Sequence, residues 1–178
     1  MQTALIVGVP HPNARNAIQD AIDIAHHLLD QGMTVTLITD EAATPANVFS
    51  CKADICWFTG ECIPTGRLQL HDGTIAPQLL ALGKQLTVFD CCHIGNLVRS
   101  TGTSRVLCAA AGKNWNESDG SSLFMHAVRE IMQDSSPLID RRAPYLPVET
   151  FRHIATWMST WCDRNNPTQR QAPVMGWI

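Results

Sequence analysis

The chain has 178 residues, 45% of them hydrophobic, a formal net charge of -3 and a pI near 6.1. This suits one compact domain and excludes the basic footprint that a nucleic-acid or anionic-membrane partner requires. No apolar run approaches the roughly 20 residues of a membrane span, and no signal peptide opens the chain, so a cytoplasmic protein is expected.

"TALIVGV" (Thr3 to Val9) is an apolar run of strand length, as expected for a strand buried on both faces. The following "NARNAIQDAIDIAHHLLDQG" places Ala17, Ile18, Ala21, Ile22, Ile24, Ala25, Leu28 and Leu29 on a broad helical stripe, with Gly32 at a helix C-terminus. "MTVTLIT" (Met33 to Thr39) predicts a second strand. "TPANVF" predicts one or two helical turns, with Thr44 as cap and Pro45 at the first helical position. "ADICWFT" (Ala53 to Thr59) and "QLTVFD" (Gln85 to Asp90) read as the third and fourth strands. Between them lie a hairpin turning at Asp72-Gly73 and the short helix "APQLLALG". "RVLCAAA" (Arg105 to Ala111) is a fifth strand, followed by a polar loop and the helix "SSLFMHAVREIMQ"; Asp134 to Pro147 reads as loop. The last helix sets Phe151, Ile154, Ala155, Met158 and Trp161 on one side, with Trp157 and Trp161 read as core rather than as an interaction patch. "QAPVMGWI" then closes a sheet edge. Strands alternating with helices imply an α/β domain with a mainly parallel sheet.

In such a sheet, ligands bind beyond the carboxyl ends of the strands. The loops "FTGECIP" and "FDCCHIG" end the third and fourth strands. If these strands are neighbours, Glu61 and Cys62 face Cys91, Cys92 and His93 across one crevice. The plainer reading makes Cys56, Cys91 and Cys108 apolar fillers, since free cysteine is commonly buried. Seven cysteines, an odd number without a secretory signal, read as reduced thiols.

"VFDCCHIG" resembles the nucleophile motif of caspase-like cysteine peptidases, and of metacaspases in particular: Asp, a small residue, Cys, His, a small residue, Gly. The matching positions run from Asp90 to Gly95 and make Cys92 the nucleophile candidate. "DICWFTGEC" resembles the other half of that dyad, where Ser-Gly-His-Gly follows an aromatic strand end. Thr59 and Gly60 match its first two positions, Glu61 stands in place of the histidine, and Cys62 replaces the second glycine. The resemblance implies a caspase-like three-layer sandwich, a mainly parallel central sheet flanked by helices, in a single domain over residues 1–178. Residues 1–98 correspond to the large portion, 105–178 to the small portion and 99–104 to a short connecting loop. The resemblance further implies that Asp20 and Asp90 form an acidic first subsite for Arg or Lys, and that the backbone near Gly60 belongs to the oxyanion hole.

The chain also departs from that family. The long second helix is nearly absent, and the connecting loop is short for a processing linker, with Arg99 its one basic residue. The missing imidazole weighs most. A carboxylate at Glu61 cannot return a proton to a leaving amine at neutral pH and disfavours a neighbouring thiolate. His93, His71, His26 and His27 have no evident route to Cys92. The expectation is a pseudopeptidase acting by binding or regulation on a protein or peptide partner with a basic residue; the alternative is an active endopeptidase with Cys92 as nucleophile and a non-standard base. No cofactor is expected, although the resemblance leaves calcium open. Glu61, Cys62, Cys92 and His93 offer ligand types that zinc accepts, but in no standard spacing. A disulfide joining Cys62 to Cys92 or to Cys91 is a further reading.

Overall fold

A computed structural model describes residues 2–109, 120–134, 136–140, 146–166, 168 and 171–178. In chain order these form β1 (Thr3–Gly8), α1 (Ala17–Asp30), β2 (Thr34–Thr39), α2 (Pro45–Ser50), β3 (Ile55–Thr59), β4 (Leu68–Leu70), β5 (Gly73–Ile75), α3 (Pro77–Ala81), β6 (Leu86–Asp90), β7 (Arg105–Cys108), α4 (Leu123–Gln133), α5 (Val148–Asn165) and β8 (Val174–Trp177). Six strands make one sheet in the order β2-β1-β3-β6-β7-β8, parallel except for β8, while β4 and β5 form a separate antiparallel hairpin. Ala110 and Ala111 of the expected fifth strand and the polar loop after them lie outside the described residues, as does part of the Asp134 to Pro147 loop.

Alternation along the central strands divides the core into two layers. Ile6, Ile55, Trp57 and Val88 face α1, α4 and α5, whereas Leu5, Val7, Phe58 and Phe89 face α2, α3 and the hairpin. Both faces of the sheet are covered, which is why β1, β3 and β6 read as unbroken apolar runs. Trp57 meets Phe124 of α4 with ring centroids 6.0 Å apart.

Two helices depart from their simplest sequence reading. The start of α1 is delayed to Ala17 because His11 and Ala14 pair across a tight turn, the Ala14 N–H donating to the His11 carbonyl at 2.8 Å. Its buried face is also narrower than the apolar stripe: Leu29 is exposed, and Asp20 lies among Ala17, Ala21, Ile24 and Leu28. The end of α1 follows the sequence closely. Gly32, at φ +79, donates to Leu29 and Met33 donates to Leu28, the paired bonds of a Schellman motif. The seam of α5 runs Thr150, Ile154, Met158 and Cys162, with Phe151, Trp157 and Trp161 packed on its flanks. In the hairpin, Leu70 pairs with Gly73, so the turn is His71-Asp72 and Gly73 belongs to β5.

The connecting loop passes along the outer side of β8. Arg99 and Trp177 exchange both backbone hydrogen bonds, at 2.8 and 3.0 Å, and the Arg105 guanidinium lies 5.2 Å from the centre of the Trp177 ring. The carbonyl that cleavage after Arg99 would attack is therefore engaged in a β-bridge.

Candidate active site

Parallel pairing of β3 with β6 in the register Thr59 to Asp90 sets the two motif loops side by side at the carboxyl edge of the sheet. Gly60, Glu61, Asp90, Cys91 and Cys92 line one small cavity there, with Asp20 contributed by α1. Cys92 is half-buried, at the turn between β6 and a single helical turn from Ile94 to Leu97. His93 has φ +61, a left-handed backbone uncommon outside glycine, so the chain reverses sharply after Cys92 and the His93 side chain is left exposed. It does not line the cavity.

The floor of the cavity is acidic. Asp90 is 3% exposed and accepts hydrogen bonds from Thr59 Oγ1 at 3.1 Å and Ser122 Oγ at 2.6 Å. Ser122 is also the N-cap of α4, accepting from the Met125 N–H at 3.0 Å. Asp20 is 2% exposed, so it is no ordinary surface residue of an amphipathic helix. It accepts from Ser121 Oγ at 2.9 Å and from Arg129 of α4, whose guanidinium also holds Asp23 at 3.1 Å. Burial pushes the Asp20 carboxyl up to about 7, the Asp90 charge pushes in the same direction, and Arg129 opposes them. The enclosed space is about 10 Å³, the size that admits one water and no lysine or arginine side chain.

Glu61 lines the same cavity, and its carboxylate lies 3.7 Å from His11 Nδ1. The Asn13 N–H donates to the same ring nitrogen at 3.2 Å. His11 is absent from the sequence reading, which concentrated on the ends of β3 and β6. The same carboxyl-end rule applied to β1, the neighbour of β3, leads directly to "VPHP". His71, His26 and His27 do not line the cavity.

Gly60 is tightly packed: a Cβ there would stand 3.0 Å from the Phe58 ring and 3.1 Å from the Val9 carbonyl, closer than ordinary contact. Its N–H donates to the Asp90 carbonyl at 3.3 Å. That bond must be released before this N–H can serve an oxyanion. Cys62 and Cys91 are 2% and 1% exposed, and the Cys62 S–H donates to the Ile63 carbonyl at 3.7 Å. Among the described residues no group of three or more His, Cys, Asp or Glu side chains is arranged to hold a metal ion, so Glu61, Cys62, Cys92 and His93 do not form a ligand set.

No protein-family model and no curated protein matches the chain. Solved structures do. Caspase-1 from Spodoptera frugiperda aligns with a TM-score of 0.62 at 14% identity, over 98% of this chain and 85% of that one. The fold is caspase-like. A protein from Geobacter sulfurreducens aligns with the same TM-score of 0.62 at 15% identity, over 100% of this chain and 94% of its own. The six-stranded sheet with its antiparallel edge and helices on both faces is thus an architecture shared along nearly the whole chain. Among the described residues no helix is long and apolar enough to cross a membrane.

Proposed function

We propose that this caspase-like chain is a pseudopeptidase that works by binding, with a basic side chain of a protein or peptide as its ligand. The observation that carries this reading is Glu61: a carboxylate shares the cavity with Cys92, and among the described residues no imidazole lines it. A carboxylate there opposes thiolate formation and is too weak a base at neutral pH to exchange a proton with the leaving amine. Asp20 and Asp90, buried and close enough to repel, supply the charge for a guanidinium or ammonium. Seating a cation between them requires the 10 Å³ space to widen. It also drives the proton off Asp20, so affinity rises as pH increases through about 7.

The test is turnover. The purified protein is expected to leave Arg- and Lys-ending fluorogenic peptides uncut, with or without calcium, while Glu61→His combined with Cys62→Gly gains activity that Cys92→Ala removes. Wild-type turnover lost in Cys92→Ala overturns the proposal. The nearness of His11 to Glu61, 3.7 Å, favours one second reading, an endopeptidase with Cys92 as nucleophile and His11 as a non-standard base beside Glu61. Under that reading His11→Ala abolishes wild-type turnover and Glu61→Gln lowers it, whereas a binding protein has no turnover to lose.

A further inference from the structure

The six-stranded sheet has one edge that the fold leaves open. At the β8 edge the connecting loop forms its bridge from Arg99 to Trp177, whereas among the described residues β2 pairs only with β1. Edges that must not associate carry charge, proline or a bulge. β2 has none of these: it reads "TVTLIT", and all six residues pair with β1 in unbroken register. Leu37 is 41% exposed on it. We infer that β2 is a self-association edge, where a second copy of this chain lays its own β2 antiparallel to the first and continues the sheet across a two-fold axis.

The ladder of the central strands fixes which groups are on offer. The Thr34 N–H donates to the Gln2 carbonyl at 3.0 Å, and the Asp54 N–H donates to the Thr3 carbonyl at 3.0 Å, so β1 alternates between its two neighbours. Thr34, Thr36 and Ile38 therefore turn their backbone groups toward β1, and Val35, Leu37 and Thr39 turn theirs away from the sheet. A two-fold axis normal to the sheet keeps each side chain on its own face, which brings odd residues against odd and even against even. Centred on Leu37, the axis sets Leu37 against its counterpart, Val35 against Thr39 and Thr36 against Ile38. The outward groups then make about six backbone hydrogen bonds. These pairs are apolar or β-branched and uncharged, and Asp40 and Glu41, which follow the strand, fall at opposite ends of the seam in the two copies. That self-complementarity is what selects a second copy over a charged partner.

The helix layer extends the same edge. α1 packs on β1 and β2, and its Asp20 and Asp23 reach Arg129 of α4 on the inner side. At about 100° per residue, Ile18, Ile22 and Leu29 fall on the opposite flank, above β2. Ile18 and Ile22 are half-buried and Leu29 is 49% exposed. A six-residue strand is about 20 Å long and the sheet with its helix about 20 Å deep, so the two copies together bury about 800 Å², the scale of a reversible dimer. Its dissociation constant is expected on the order of 10 to 100 µM.

The experiment is sedimentation velocity on the reduced chain from about 5 to 500 µM, with residue-resolved amide hydrogen exchange at both ends of that range. The wild type is expected to pass from monomer to dimer, with exchange slowing at Val35, Leu37 and Thr39 while Thr36 and Ile38, already bonded to β1, stay unchanged. Leu37→Lys, a change at an exposed side chain, is expected to weaken association by about tenfold or more and to keep the wild-type circular dichroism spectrum. A chain that stays monomeric at the highest concentration overturns the inference. So does a dimer that Leu37→Lys leaves intact, or one whose newly protected amides lie outside β2. The wild-type exchange pattern decides the matter even if the variant fails to fold, and it does so whether or not the cavity binds a basic side chain.

Discussion

Replacing Asp20 by Asn removes a charge from the cavity floor while keeping a carbonyl that accepts from Ser121 and Arg129. The native carboxyl holds its proton up to about 7 against an ordinary 3.8. The folded state therefore binds more protons than the unfolded chain between those values, and the contribution of Asp20 to stability falls as pH rises through that window. The displacement corresponds to about 4 kcal/mol as a ceiling at neutral pH and above. Because Asp20 is coupled to both Asp90 and Arg129, about 2 to 4 kcal/mol is the expected range. Urea denaturation of both proteins at a series of pH values should give similar stabilities near pH 4 and a growing advantage for Asp20→Asn that levels off above about pH 7. A constant difference across the series refutes the reasoning. So does a wild-type advantage that grows with pH, which would mean that the Arg129 ion pair outweighs burial.

Ser122→Ala removes both the cap of α4 and a hydrogen bond to the buried Asp90 carboxylate. A loss of about 2 to 4 kcal/mol in chemical denaturation is expected, against a few tenths for an exposed serine. Gly176→Ala would set a Cβ 2.4 Å from Val98 Cγ1 and 2.7 Å from the Arg99 carbonyl oxygen, forcing the connecting loop off β8. Limited trypsin digestion mapped by mass spectrometry should then cut after Arg99 about tenfold faster than in the wild type. Equal rates would show that the bridge does not protect that bond.

Sequence pattern exposed the fold readily where burial is two-sided. "TALIVGV", "ADICWFT" and "QLTVFD" admit few readings other than central strands, and Thr44-Pro45 and Gly32 mark helix ends by local chemistry alone. The site was less legible because its geometry depends on distant partners. Asp20 shares a helical face with Ala17 and Ile24, yet what makes it a buried acid is Ser121 and Arg129, more than 100 residues away. His11 escaped notice because its partner Glu61 lies across the junction of β1 and β3. The adjacent cysteines were separated by the motif, which points to Cys92, but their burial depends on the turn, which leaves Cys91 buried and Cys92 half-buried.

One hydroxyl ties the acidic floor to the helix behind it. Ser122 Oγ donates to Asp90 and at the same time accepts the N–H of Met125, the third residue of α4. If the proposed ligand widens the cavity, Asp90 is expected to draw away from that hydroxyl and the oxygen to turn from the helix end. Occupancy of the cavity would then be read out as fraying of one helical turn, and faster amide hydrogen exchange at Met125 is the expected signal of a bound ligand, independent of any chemistry at Cys92.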